Sequence, residues 1–171
     1  MMKYKKLLFI GLLISYSFSF SQESKINFIP GIFPIDSSEN FNITSIFGSR
    51  HHPIHKRMKK HNGIDIAARV GTFVYATGSG CIITSKYESG HGNTILIDHL
   101  NEYKTRYSHM SILFVEEGEE IKQGDVIGLV GTTGVSTGYH LHYEVLKNGI
   151  NVNPKDYLFL RSEIVNSVSS N

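Results

Sequence analysis

The segment His140-Leu141-His142 restricts the fold and the chemistry of this chain more than any other stretch. Residues 139–146 alternate polar and apolar side chains of β-favouring types, which predicts a strand. Because successive side chains of a strand point to opposite faces, His140, His142 and Glu144 are expected to share one face. Imidazole is both a common metal ligand and a proton carrier near neutral pH. The pattern alone leaves two alternatives, a metal-binding or catalytic face and a partly exposed strand with polar residues.

The amino terminus predicts export. Three lysines lie within residues 1–6, an apolar run covers residues 7–14, and small residues at Ser19 and Ser21 suit signal cleavage. The apolar run is shorter than the roughly 20 residues that a membrane span requires. We therefore predict a signal peptide over residues 1–21, a periplasmic or secreted product, and no stable membrane insertion after cleavage. A retained membrane anchor is the alternative.

The predicted mature chain is close to neutral. Residues 1–21 contain three of the 17 Lys and Arg and none of the 15 Asp and Glu, so 14 basic and 15 acidic residues remain, a formal net charge of −1. This balance argues against a nucleic-acid partner, which would require a basic stripe. Lone Cys81 cannot form an internal disulfide, so the domain needs a core of its own, which its length permits. We expect a monomer.

Short β-type segments separated by glycine turns predict a single, mainly β domain over residues 43–158. No segment has a convincing helical pattern of ten or more residues, so we expect an antiparallel β-sheet or a β-sandwich-like arrangement. Residues 22–42 are predicted to form an irregular lead-in, and residues 159–171 a flexible polar tail. Residues 49–60 are predicted to form a polar, basic loop. Besides residues 139–146, the predicted strands are residues 43–48, 72–76, 80–87, 93–99, 104–109, 112–115 and 125–130.

Residues 61–65 offer a second pair of metal-ligand types. His61 and Asp65 would share a face of a helix as positions i and i+4, or a face of an extended segment together with Gly63. Gly63 and the flanking β-branched residues favour the extended form. In that form Gly63 is expected to leave room for an ion or a substrate between the two polar side chains. A surface turn is the alternative.

Residues 105–111 contain a further histidine. Alternation predicts that His109 shares a face with Tyr107, while Arg106, Ser108 and Met110 share the other. Taken alone, His109 is more often an ordinary half-buried histidine.

Together, these segments resemble the lysostaphin-type (LytM-type) zinc metalloendopeptidases, which cleave peptides of bacterial peptidoglycan. The resemblance covers about residues 43–158 and depends on three motifs in the family's order. The motifs are His61-x-Gly63-x-Asp65, Tyr107-x-His109 and His140-x-His142-Tyr143-Glu144.

The resemblance implies an antiparallel β core with one Zn²⁺ per chain in a groove on one sheet face. It assigns the metal to His61, Asp65 and His142, and catalytic roles to His140 and His109. We assign His140 as the general base and His109 to polarisation of the scissile carbonyl or to the oxyanion, and the exchanged assignment is the alternative.

Four further residues are candidates for supporting the metal ligands or for contacting substrate. They are Glu144, Arg50, Asn93 and Tyr107. Glu144 is expected to share the face of His142, and Arg50 belongs to the basic stretch that could bind an anionic substrate.

The implied function is that of an exported zinc metalloendopeptidase that hydrolyses cross-links or stem peptides of peptidoglycan. The alternative is a non-hydrolytic relative that binds and activates another cell-wall hydrolase. Such degenerate domains typically lose zinc ligands, whereas all five ligand and catalytic positions are filled in this chain. The sequence therefore favours the enzyme.

Overall fold

The computed structural model describes residues 28–36, 41–51 and 58–158. Within these ranges the chain forms thirteen strands and one turn of 3-10 helix, and no α-helix. The strands are β1 (Asn42–Ser45), β2 (Gly48–His51), β3 (Met58–His61), β4 (Ile64–Ala67), β5 (Phe73–Tyr75), β6 (Gly80–Glu88), β7 (Gly92–Asp98), β8 (Tyr103–Met110), β9 (Ile112–Leu113), β10 (Glu120–Ile121), β11 (Val126–Leu129), β12 (His140–Lys147) and β13 (Ile150–Val152), and the 3-10 helix is Pro154–Asp156. The predicted mainly β fold is confirmed.

The strands form one large sheet, one small sheet and a hairpin. The large sheet has the order β1-β4-β12-β8-β7-β6-β10, with β13 paired to β12, and the small sheet has the order β5-β11-β9. All strand pairs in the described residues are antiparallel, as predicted. The predicted strands from residue 72 onward are all present, with ends shifted by at most two residues.

The prediction of a loop over residues 49–60 is wrong at both ends of that stretch. Strands β2 and β3 pair as a hairpin in which Gly48 lies opposite His61 and Arg50 lies opposite Lys59. These strands contain polar side chains at successive positions, so they lack the alternation by which a strand with one buried face is recognised. Residues 52–57, between the two strands, fall outside the described residues.

The hydrophobic core lies between the large and the small sheet. Every second residue of the central strands is buried on this side, including Ile64 and Ile66 of β4 and Leu141 of β12. They belong to one cluster with Val74 and Ile127 of the small sheet. This sandwich-like packing covers only one face of β4 and β12, which leaves their polar residues together on the opposite face.

Tyr107 lies on the core side and is fully buried. Its hydroxyl accepts a hydrogen bond from the Thr77 amide (2.9 Å) and lies 2.8 Å from Thr77 Oγ1, which also bonds the Tyr143 hydroxyl. Burial raises the pKa of the Tyr107 phenol, so it stays neutral. The structure thus does not bring Tyr107, a candidate for contacting metal ligands or substrate, to the polar face of the sheet.

A β-bulge near the end of β8 reverses the alternation expected for residues 105–111. Across the β7–β8 pair, the single residue Thr94 lies opposite both Ser108 and His109. His109 has a left-handed φ of 65°, and Met110 returns to the core, where it is fully buried. The prediction that His109 shares a face with Tyr107 is therefore wrong, because the extra residue turns His109 onto the polar face.

Residues 61–65 form neither a helix nor one continuous extended segment. His61 ends β3, Asn62 and Gly63 form the connection, and Asp65 lies in β4. A Cβ on Gly63 would lie 2.2 Å from the carbonyl oxygen of Tyr143 in the neighbouring strand. The expectation that Gly63 makes room for an ion or a substrate is thus wrong, since the backbone of β12 occupies that space.

Several predicted segments lie outside the described residues. The signal peptide (residues 1–21), residues 22–27 and 37–40 of the lead-in, and the tail (residues 159–171) belong to this group. The described part of the lead-in is irregular, and its Ile35 is buried against the core and bridges to Val74. None of the described residues forms a helix that is long and apolar enough to cross a membrane.

We predict that Gly63→Ala strongly destabilises the fold. The new Cβ would push β12 away from β4, so the free energy of unfolding should fall by more than about 2 kcal/mol, in the range of overpacking and strand disruption. Denaturant titration measures the change. Gly138→Ala is the matched control, because no atom lies within 4 Å of its added Cβ. Equal stability of the two variants would contradict the close-approach role of Gly63.

Candidate metal centre

The three predicted ligands meet on the polar face of the large sheet. The antiparallel register of β4 and β12 places Asp65 directly opposite His142. His61 reaches the same point from the end of β3, because the short Asn62-Gly63 connection joins β3 directly to β4. The meeting of the three residues on this face therefore follows from one strand register and one tight connection.

The three donor atoms lie close enough together to bind a single ion. His61 Nε2 lies 3.1 Å from Asp65 Oδ1, His142 Nδ1 lies 2.8 Å from the same oxygen, and the two nitrogens are 3.1 Å apart. Tetrahedral zinc with ligand distances of about 2.0–2.2 Å separates neighbouring ligand atoms by roughly 3.3 Å. Two imidazoles and one carboxylate are also the ligand types of catalytic zinc sites. The residues thus fit zinc.

Both imidazoles of the donor cluster, His61 and His142, are oriented by a hydrogen bond from the nitrogen that faces away from the cluster. His61 Nδ1 lies 2.9 Å from the carbonyl oxygen of Ile46, and His142 Nε2 lies 3.0 Å from Glu144 Oε1. Because these oxygens only accept, both nitrogens must be N–H donors. The remaining nitrogen of each ring faces the donor cluster and offers its lone pair once the ring is neutral.

Glu144 occupies the position predicted for a partner of His142. Its carboxylate is almost fully buried and accepts a hydrogen bond from Asn151 Nδ2 (3.0 Å), while Arg106 Nε lies 3.6 Å away. Burial opposes ionisation, but the hydrogen bond to His142 and the charge of Arg106 lower the pKa of Glu144 overall. Glu144 therefore stays ionised and holds the ring of His142 in place.

In the absence of a metal ion, protonated His142 and ionised Asp65 form a hydrogen-bonded ion pair. Burial alone would raise the pKa of Asp65, but hydrogen bonds with His142 and His61 bring it well below its usual range. Burial alone would lower the pKa of His142, but its hydrogen bonds to Asp65 and Glu144 raise that pKa to about 9. The proton on Nδ1 of His142 occupies the position where a metal ion would bind.

His140 and His109, the two predicted catalytic histidines, lie side by side next to the donor cluster. Their ring centroids are 4.7 Å apart, and His140 Nε2 lies 3.8 Å from Asp65 Oδ1. His140 Nδ1 donates to the carbonyl of Gly138 and His109 Nδ1 donates to that of Thr133, each at 2.8 Å. In the neutral form of either ring, Nε2 therefore carries the lone pair.

The environment of His109 keeps it neutral. Burial lowers its pKa to about 4, although the hydrogen bond to Thr133 acts in the opposite direction. Near neutral pH its Nε2 is therefore unprotonated, so it can accept a hydrogen bond and has no proton to donate.

Two other predicted residues have different surroundings. Asn93 donates its backbone N–H to Thr133 Oγ1 (2.9 Å) and its side-chain amide to the Ser111 carbonyl (3.2 Å), so it supports the segment that holds His109. Arg50 lies in β2, and its side chain falls outside the described part of the structure.

The sequence did not indicate the groups that hold the histidines. The carbonyls of Ile46, Thr133 and Gly138 are backbone atoms, so residue types give no signal for them. His91, which none of the three motifs includes, lies nearby, with its ring centroid 6.0 Å from that of His142 and its Nδ1 3.1 Å from Ser108 Oγ.

The family model of peptidase family M23 matches residues 59–154, more than half of the chain. The chain belongs to peptidase family M23. The matched range includes all three donor residues and both adjacent histidines, so the predicted relationship to LytM-type zinc peptidases is confirmed.

Family members with known names and structures resemble the chain closely. The peptidoglycan DD-endopeptidase ShyA of Vibrio cholerae is 43% identical over 122 residues, which are 71% of this chain and 28% of ShyA. The solved structure of a zinc-containing peptidase from Vibrio cholerae has a TM-score of 0.67 at 40% identity and covers 72% of this chain and 38% of its own. The catalytic domain of lysostaphin from Staphylococcus simulans has a TM-score of 0.61 at 29% identity, over 70% of this chain and 91% of its own.

The chain spans about a third or less of the length of the first curated relatives that it matches. The similarity therefore concerns the M23 domain.

We predict that His142→Ala and His140→Ala separate metal binding from catalysis. His142→Ala removes a donor atom and should weaken zinc binding at least 100-fold, because only two of the three protein ligands would remain. His140→Ala leaves the donor set intact and should keep zinc affinity within about threefold of wild type. Competition with a chromophoric chelator measures both affinities. Loss of zinc from the His140 variant would contradict the division between ligand and neighbouring base.

We also predict a specific pH dependence of zinc binding. In protein stripped of metal, His142 with its pKa of about 9 holds the proton that zinc must displace. Affinity should therefore fall about tenfold per pH unit below 9, or roughly 100-fold between pH 9 and pH 7. Chelator competition at pH 7, 8 and 9 measures this slope.

The stability of the metal-free fold changes with pH in the opposite direction to the zinc affinity. The pKa of His142 is raised on folding, so its proton stabilises the metal-free fold fully below about pH 6.5, and this contribution disappears as the pH rises through about 9. Glu144→Gln is the control, because losing one carboxylate should lower the pKa of His142 and flatten the slope between pH 8 and 9. A wild-type zinc affinity that is constant from pH 7 to pH 9 would contradict the prediction that zinc must displace a proton from His142.

Proposed function

We propose that this protein is an exported zinc metalloendopeptidase that hydrolyses peptide cross-links of bacterial peptidoglycan. The observation that carries this proposal is the convergence of three zinc-type donors beside two neighbouring histidines, each of which has its Nδ1 bonded to a backbone carbonyl and leaves Nε2 as the acceptor. The names of relatives such as ShyA, a peptidoglycan DD-endopeptidase, support this substrate class. Peptidoglycan lies outside the cytoplasm, which supports the predicted export and a periplasmic or secreted location.

His61, Asp65 and His142 would hold the zinc ion. When bound, zinc supplies Lewis acidity and lowers the pKa of a bound water molecule toward 7. The two imidazoles are neutral donors and Asp65 contributes one negative charge, so the site would retain a net charge of about +1. Glu144 orients His142 from outside the ligand set, and the sheet holds the three donors before substrate arrives.

His140 is proposed as the general base. Its Nε2 lies next to the donor cluster and its Nδ1–H is fixed on the Gly138 carbonyl, so the ring can take a proton without reorienting. The same nitrogen can return the proton to the amine that leaves when the peptide bond breaks.

His109 is proposed as the second group that contacts the reacting peptide. Because its proton is on Nδ1 and its pKa is low, its resting Nε2 cannot donate to a carbonyl oxygen. A metal cation nearby would lower this pKa further. His109 would therefore donate to the oxyanion only after its Nε2 has received a proton during the reaction, and its low pKa leaves the role of general base with His140.

The complete site favours hydrolysis over the alternative of a non-hydrolytic activator of another hydrolase. An activator would not require an oriented general base. For the rest of the protein we propose one bound zinc, no nucleic-acid partner, a monomeric state and no membrane insertion after removal of the signal peptide.

Digestion of purified muropeptides tests the proposal. Directly cross-linked dimers should be converted into monomers, which mass spectrometry identifies. Glycine-bridged dimers should be cut more slowly, since DD-endopeptidases such as ShyA are more similar in sequence to this chain (43% identity) than the catalytic domain of lysostaphin is (29%). His140→Ala should reduce kcat about 10²–10⁴-fold, the usual contribution of acid–base catalysis. Lys86→Ala, a change on the exposed side of β6, is the activity control.

Two results would contradict the proposal. Zinc-loaded protein that cuts neither dimer but stimulates a separate hydrolase would indicate an activator. Protein that cuts only the glycine-bridged dimer would show that the substrate assignment is wrong while the hydrolytic assignment holds.

A further inference from the structure

One loop touches both proposed catalytic histidines. Residues 131–139, here called the histidine loop, connect β11 to β12. The loop enters between the end of β8 and the start of β12, where Gly131 accepts a hydrogen bond from the backbone N–H of His140 (3.1 Å). A Cβ on Gly131 would lie 2.4 Å from the Ser111 nitrogen, so the backbone itself fills this gap between the strands.

The histidine loop supplies both acceptors that fix the tautomers of these rings. The carbonyl of Thr133 accepts from His109 Nδ1, and the carbonyl of Gly138 accepts from His140 Nδ1. Ser136 Oγ donates to the Gly138 carbonyl (2.8 Å) and accepts from Thr132 Oγ1 (3.0 Å), so the two ends of the loop are linked through Ser136. A shift of this loop would therefore displace both acceptors and change the tautomers of both rings together.

The side chain of Thr133 anchors the loop to the bulge that presents His109. Its hydroxyl donates to the carbonyl of Met110 (2.8 Å), the residue that follows His109, and accepts from the backbone N–H of Asn93 (2.9 Å). One hydroxyl thus joins the histidine loop, β8 and β7 at the point where alternation is broken.

The backbone of Gly134 in the histidine loop packs directly against the backbone of Gly92 at the start of β7. A Cβ on Gly134, whose φ is 75°, would lie 2.4 Å from the nitrogen of Gly92 and 2.7 Å from the oxygen of Gly90. Val135 donates its N–H to that same oxygen of Gly90 (2.9 Å), and His109 donates its own N–H to the carbonyl of His91 (2.8 Å). The turn between β6 and β7 thus contacts both the loop and the bulge.

We propose that Thr133 is a positioning residue for catalysis, whose hydroxyl fixes the carbonyl that holds His109 as its Nδ1–H tautomer. The catalytic part of this inference rests on the proposed function. The tautomer part depends only on the hydrogen bonds of Thr133 and can be tested without any substrate.

The experiment compares Thr133→Val with Thr133→Ser in the full zinc-loaded chain. Valine keeps the branched shape but loses both hydroxyl hydrogen bonds, whereas serine retains them. We expect Thr133→Val to lower kcat about 10–100-fold, as for other residues that orient a catalytic imidazole, with KM and zinc affinity within about twofold of wild type. Thr133→Ser should restore kcat to within about threefold. Thr84→Val is the matched control, because it removes a threonine hydroxyl bonded to a backbone carbonyl on β6, away from the site.

Nitrogen-15 NMR of the histidine side chains provides the second readout. Wild type and Thr133→Ser should show His109 protonated at Nδ1 only, and Thr133→Val should show a mixture of tautomers. Unchanged tautomer signals in Thr133→Val, or equal losses of kcat in the valine and serine variants, would overturn the inference. If wild type cleaves no muropeptide, the proposed function fails, and the NMR comparison still decides whether Thr133 positions His109.

Gly134→Ala tests the same anchor through the backbone. The added Cβ would push the loop off the β6–β7 turn, so kcat should fall at least tenfold while zinc affinity stays within about twofold. Gly118→Ala is matched in backbone strain, since Gly118 has a φ of 92° but no atom within 4 Å of the added Cβ, and it lies away from the site. Equal activity of the two variants would overturn the role of this contact.

Discussion

The pairing of β4 with β12 is the interaction on which the rest of the site depends. Its register places Asp65 opposite His142, and a shift by one residue would send one of these side chains into the core. The same pairing buries Ile64, Ile66 and Leu141 on the other face, so the hydrophobic core fixes the register that the metal site requires. Burial and ligand geometry are therefore two results of one backbone ladder.

The parts of this site that could be predicted are those that follow from strict alternation. His140, His142 and Glu144 do share a face, because β12 is a regular strand in the middle of the sheet. The face of His109 could not be predicted, because a bulge depends on how β7 and β8 meet and leaves no pattern in residue types. The fold class was predictable for the same reason as β12, because strands with one buried face alternate polar and apolar residues. The polar β2–β3 hairpin lacks this alternation, so its strands were not predicted.

Histidine orientation was the part that sequence could least reveal. Three of the four rings at the site donate to backbone carbonyls, those of Ile46, Thr133 and Gly138. Any residue type supplies a carbonyl, so only the path of the chain decides where these acceptors lie. Motif residues therefore indicate which groups react, and the surrounding main chain decides which nitrogen of each ring is available.

The hydrogen bonds on the outer nitrogens of the imidazoles also separate folding from metal loading. Every one of these acceptors belongs to the protein itself, and the core lies on the other face of the sheet. The imidazole side chains therefore lose their conformational freedom when the chain folds and not when zinc binds. Small zinc-dependent domains differ, because metal binding supplies their folding free energy. Such a chain would be able to fold without metal and to bind zinc afterwards, so the supply of metal would control activity without controlling the amount of folded protein.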